Sequence, residues 1–108
     1  MEVSEIFITF RTNKLEKLCN NKKEAIKEYG LKVGSKLIQR KLELEAFSNL
    51  QKVPVNLPWR REKLKGFEDR WSIRVEQEYR IEIQALDLND DLSKIENIKI
   101  LEVSKHYE

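Results

Sequence analysis

Trp71-Ser72-Ile73-Arg74-Val75 and Tyr79-Arg80-Ile81-Glu82-Ile83, with Glu76, Gln77 and Glu78 between them, decide how this chain folds. Trp71, Ile73 and Val75 alternate with Ser72 and Arg74. Tyr79, Ile81 and Ile83 alternate with Arg80 and Glu82. Alternation of this kind is the period of a half-buried strand, so the stretch predicts two antiparallel strands joined by a short turn at 76–78. That turn would pair Val75 with Tyr79 and set Arg74 beside Arg80. Both arginines would then project from the face away from the core. Like charges directly opposite are unfavourable, so such a pair invites an anionic ligand. A slip of one pairing step would set Arg74 opposite Glu82 instead, an ordinary ion pair. The sequence leaves both registers open.

Upstream, Glu5-Ile6-Phe7-Ile8-Thr9-Phe10 predicts an opening strand over 5–10. Asn13 with Glu16, and Asn21 with Glu24, each put a capping side chain three residues before a glutamate, which predicts two helix starts. Gly30 would close the second helix. The longest helix is predicted over 32–50. Val33, Leu37, Leu44 and Phe47 form one apolar stripe, and Ile38, Leu42 and Ala46 a neighbouring one. Gly34 weakens that helix but would let another pack close. Pro54 and Pro58 mark 51–59 as a loop. Downstream, 86–93 is a polar loop and 94–103 a last strand. The order predicts an α+β domain over 1–108, with an N-terminal strand and a helical hairpin on a mainly antiparallel four-stranded sheet.

At 108 residues the chain is long enough for one domain. No apolar run approaches the ~20 residues of a membrane span, and no signal peptide is visible. Cys19 is the only cysteine, so a reducing cytoplasm is expected. The net charge of +2 conceals an asymmetry. Residues 11–41 carry ten Lys/Arg against three Glu, and 52–74 seven against three acids. Residues 75–103 carry three basic and eight acidic side chains. A basic half on a near-neutral protein points to a polyanion partner. A solvated lysine-rich helix face would look the same.

Several chemistries are excluded. Asp87, Asn89 and Asp91 start like a calcium loop, but Leu92 stands where its glycine belongs and Ile98 where its closing glutamate belongs. One cysteine and one histidine cannot build a structural zinc site, and there is no phosphate-cradling glycine loop. What remains is Arg60-Arg61-Glu62-Lys63-Leu64-Lys65-Gly66, the two strand arginines, and Lys105-His106-Tyr107 near the C-terminus. A carboxylate, a histidine and several fixed cations are what an RNA-cleaving site needs in the absence of a metal. One group takes a proton, one gives a proton, and the cations hold the charge that builds on phosphorus.

These blocks, in this order and spacing, resemble the RelE/ParE superfamily of bacterial type II toxins over nearly the whole chain. The basic helices and the stretch Lys32–Leu50 before a proline-containing loop look most like the HigB group, the plasmid maintenance killer proteins. The site departs from that group. Glu62 stands where HigB-type toxins carry a histidine, and Ser104-Lys105-His106 keeps only the histidine of their terminal Asp-Tyr-His. Glu62-Lys63-Leu64-Lys65-Gly66, Arg74, Arg80 and His106-Tyr107 look instead like the catalytic set of YoeB toxins.

The resemblance implies a ribosome-dependent mRNA endoribonuclease with no cofactor and no metal. Glu62 would be the general base, His106 the general acid, and Arg80 the principal holder of the phosphorane. Arg74 and Lys65 would assist on the phosphate, with Arg60, Arg61 and Tyr107 binding substrate. Implied partners are a cognate antitoxin (HigA-like or other), the ribosome and mRNA, and operator DNA through the antitoxin, with no membrane. Two other readings belong to the same superfamily: a non-enzymatic ParE-like inhibitor of DNA gyrase, and a decayed toxin that only binds antitoxin or RNA. Trp71 is in the apolar register and is expected in the core. Trp59 could stack on a base or pin its loop.

Overall fold

The computed structural model describes residues 5–105. Its elements are strand β1 (Phe7–Phe10), helices α1 (Asn13–Asn20), α2 (Lys22–Tyr29) and α3 (Leu31–Ala46), and strands β2 (Glu62–Lys63), β3 (Arg70–Glu76), β4 (Tyr79–Ala85) and β5 (Asn97–Lys105). The strands form one sheet in the order β1-β5-β4-β3-β2. β1 runs parallel to β5, and every other pair is antiparallel. The architecture is α+β, as the sequence predicts. The sheet has five strands rather than four, because Glu62 and Lys63 pair with Ser72 and Trp71 as a two-residue edge. Two residues are too few to show alternation.

The helices follow their caps. Asn21 accepts a hydrogen bond from the Glu24 amide at 3.2 Å and starts α2. Gly30, at φ 89°, ends it in a backbone conformation that glycine takes freely. The cap of α1 is Thr12, whose hydroxyl accepts from the Leu15 amide at 3.1 Å; Asn13 is already the first helical residue. α2 and α3 form the hairpin, with Gly34 at the contact. A Cβ there would lie 2.6 Å from the Ile26 nitrogen and 2.7 Å from the Ala25 carbonyl.

α3 ends at Ala46, four residues earlier than predicted. Phe47 turns to extended backbone, and Leu50 enters the core from a single 3-10 turn at Leu50–Lys52. Of the two predicted stripes, Leu37 and Leu44 are fully buried, whereas Leu42 and Ala46 are exposed. Arg40 and Lys41 are buried in their place. The core lies between α3 and one sheet face, with Ile73, Ile81, Ile83, Ile98 and Ile100 facing the helices. Trp71 belongs to this core.

The carboxylates of the rejected calcium loop have structural tasks. Asp87 accepts hydrogen bonds from the Glu96 and Asn97 amides and from the Asn97 side chain. Burial works to raise its pKa, but these bonds outweigh that and hold it below the usual value. Asp91 caps the 3-10 turn at Leu92–Lys94. Cys19 is buried, and desolvation pushes its thiol up to about 12, so it acts as packing.

Candidate active site

The register left open by the sequence is resolved in favour of the arginine pair. Arg74 stands directly opposite Arg80, Ile73 opposite Ile81, and Ser72 opposite Glu82. The turn differs in one respect: Tyr79 pairs with Glu76, and an irregularity falls between Arg74 and Glu76, so Val75 is the extra residue of a bulge. Because side chains alternate faces, Ser72, Arg74, Arg80 and Glu82 share the face away from α3. The pairing continues this face sideways. Glu62 lies opposite Ser72, Ser104 opposite Arg80, and Glu102 opposite Glu82. One row across the sheet is therefore Glu62, Ser72, Glu82 and Glu102. The next row is Arg74, Arg80 and Ser104.

A cleft opens on this face, lined by Arg60, Glu62, Ser72, Arg74, Gln77, Tyr79 and Arg80. Four residues singled out from the sequence thus meet in one place, three cations around one carboxylate. Arg60 takes a left-handed backbone, φ 43°, which is uncommon for a residue other than glycine and recurs at functional sites. Its Nε donates to Glu62 Oε1 at 2.7 Å. Glu62 keeps half of its side-chain surface exposed, 51%. Arg80 Nε donates to the Ser104 hydroxyl at 3.3 Å, and its other end lies 3.5 Å from Glu82 Oε1.

Arg61 and Lys65 fall elsewhere. Arg61 Nε donates to the Val53 carbonyl at 2.9 Å, tying the loop before β2 to the core, so its guanidinium is directed inward. Lys65 is exposed in the turn between β2 and β3 and is not part of the cleft lining. His106 and Tyr107 lie outside the described residues. Trp59 packs edge-to-face on Phe47 with ring centres 6.0 Å apart, which pins its loop.

One residue of consequence is absent from the sequence reading. Arg40 on α3 is 2% exposed. Its Nε donates to the Arg74 carbonyl at 2.8 Å, and a terminal nitrogen donates to the Val75 carbonyl at 3.4 Å. The other terminal nitrogen meets Glu43 at 2.6 Å. The Arg74 amide donates to the Trp59 carbonyl at 2.7 Å. The bulge that carries Arg74 is thus clamped on both sides. The signal for Arg40 was its spacing: it lies three residues after Leu37 and four before Leu44, squarely on the buried stripe.

The acidic row is electrically tense. The Glu82 carboxyl is pushed above its usual pKa, first by burial and then by hydrogen bonding and charge from Glu102, with Arg80 and Arg70 pulling it down. Glu82 is therefore a built-in competitor for the Arg80 guanidinium.

No protein-family profile and no curated protein matches the sequence. A solved structure does match the fold: the YoeB dimer from Staphylococcus aureus, with a TM-score of 0.57 and 20% identity, over 94% of this chain and 98% of that one. The chain has a YoeB-like fold. In this YoeB-like frame the cleft sits at the β2 edge of the sheet, between the loop that ends at Arg61 and the β3–β4 turn. Among the described residues no helix is long and apolar enough to cross a membrane.

Proposed function

We propose that this protein is an endoribonuclease toxin of the RelE/ParE type that cleaves mRNA on the ribosome and is neutralised by a cognate antitoxin. The observation that carries this reading is the cleft in which Glu62 faces the Arg74–Arg80 pair. A binding module has no need of a carboxylate beside two arginines, whereas transesterification of RNA needs both. Glu62 takes the proton from a ribose 2′-OH, and the freed oxygen attacks the adjacent phosphorus in line. Arg74 and Arg80 hold the doubly negative phosphorane through bidentate, permanently charged guanidinium groups. Arg60 orients Glu62 through their 2.7 Å ion pair. His106 protonates the departing 5′-oxygen. The product is a 2′,3′-cyclic phosphate or the 3′-phosphate formed from it.

Lys65, from the turn beside the cleft, and Tyr107 complete the substrate contacts on this reading, while Arg61 anchors the loop that carries Arg60. The helices of the basic half meet ribosomal RNA electrostatically, so binding weakens with salt. The HigB-like pattern of the first half and the YoeB-like catalytic set then belong to one cytoplasmic toxin, which reaches operator DNA through its antitoxin.

The test is to map new 5′ ends on an mRNA in a purified translation reaction, comparing wild type with Arg80→Ala, Glu62→Gln and His106→Ala. New ends are expected only with ribosomes and wild-type protein. Intact mRNA with the wild type overturns the reading and directs attention to gyrase inhibition.

A further inference from the structure

Arg74 also borders a second depression, on the α3 side of the sheet edge. This groove, of about 320 Å³, lies at the edge of β3 between the first half of α3, the Leu57-Pro58 stretch and the bulge at Val75. Arg74 and Gln77 line both the cleft and the groove, so the two adjoin at the edge of β3. Its volume falls within the ~300–1,000 Å³ of small-ligand sites.

We propose that this groove is a second subsite, which takes the nucleotide next to the scissile phosphate; the assignment rests on the RNA-cleaving reading above. Five features of the groove carry it. Leu57, at 63% exposure, and the exposed Pro58 give the groove an apolar wall of the kind that receives the face of a base. Lys36 supplies a cation on the opposite wall and has no ion-pair partner among the described residues. The groove's own carboxylate, Glu76, is already answered by Lys32 at 3.9 Å, so the depression stays receptive to a phosphate. The floor is rigid, because buried Arg40 is fastened to the Arg74 and Val75 carbonyls. Gln77 stands at the junction with both a donor and an acceptor on its amide, and it can read a base edge there.

The test is binding, not cleavage. A 2′-O-methyl trinucleotide, which cannot be cut, is titrated against wild type, Leu57→Ser and Lys36→Ala, with a single nucleoside 3′-phosphate as the control ligand. Both substitutions are at solvent-accessible positions. Leu57→Ser is expected to weaken the trinucleotide about five-fold, the low end of the stacking range. Lys36→Ala is expected to lower the magnitude of its salt dependence by about 0.7, one single-strand phosphate contact. Neither should change the affinity for the mononucleotide. The proposal is overturned if both variants bind the trinucleotide like wild type, or if the mononucleotide loses equally, which would mean damage to the cleft itself. Wild type that binds with this signature yet leaves mRNA intact on the ribosome removes the nuclease reading and leaves the subsite standing.

Discussion

Arg74 and Arg80 stand directly opposite each other on β3 and β4, two permanent positive charges held side by side by the strand register. Opposed like charges destabilise a sheet by a few tenths to about 1 kcal/mol. Glu82, 3.5 Å from Arg80, offsets part of this repulsion, and an anion bound in the cleft would offset more of it. Arg80→Ala should therefore leave thermal stability unchanged or slightly raised while cleavage falls about 10²–10³-fold. Parallel melting curves and single-turnover mRNA cleavage check this. A large loss of stability would mean that Arg80 serves the fold.

Arg40 is the support beneath that pair. Arg40→Met would leave the Arg74 and Val75 carbonyls without this donor and Glu43 without its cation. The expected loss is about 1–3 kcal/mol, the range for a stranded buried polar group. Urea unfolding measures it. A loss below ~0.5 kcal/mol would show that water replaces the clamp.

Gly34→Ala has an unusual sign. In an open helix this change stabilises by about 1 kcal/mol. Here the added carbon would meet the α2 backbone at 2.6–2.7 Å, and backbone cannot step aside as a side chain can. Net destabilisation of about 1–3 kcal/mol is expected from overpacking. Denaturant midpoints decide it, and a stabilised variant would mean that α2 and α3 separate without penalty.

The Glu82–Glu102 row predicts a pH dependence. The folded state binds the Glu82 proton more tightly than the unfolded chain does, because burial and Glu102 raise its pKa. That stabilisation is complete below the unfolded value, about 4.3 for glutamate, and is lost as pH rises through the higher folded value. Glu82→Gln should flatten the decline in stability over this interval. It should also tighten inorganic phosphate binding at pH 7, since the carboxylate 3.5 Å from Arg80 no longer competes. Titrations of both proteins, by urea at several pH values and by phosphate at one, provide the check.

Much of the fold was legible because periodicity is local. Alternation marked β3 and β4, Asn21 and Gly30 bounded α2, and Gly34 announced a close helix contact. Three features were not legible. β2 is two residues long and exists through its pairing with Ser72 and Trp71. α3 stops at Ala46 because Leu50 is needed in the core. Arg61 reads like its neighbour Arg60 in sequence, yet one reaches the Val53 carbonyl and the other Glu62.

The residue types of the cleft and the α+β order of elements follow from the sequence alone, since charge, geometry of the guanidinium group and hydrophobic period are properties of the chain itself. Tertiary structure decided which of two registers the arginines adopt, because the two pairings differ by one step and only the packing of Ile73 on Ile81 and the bulge at Val75 distinguishes them. It also decided that Arg40, a basic residue on a basic helix, is buried against the strand that carries Arg74. The stripe marks the position of Arg40, but two of the groups that make its burial tolerable, the Arg74 and Val75 carbonyls, lie more than thirty positions away, and the stripe does not name them.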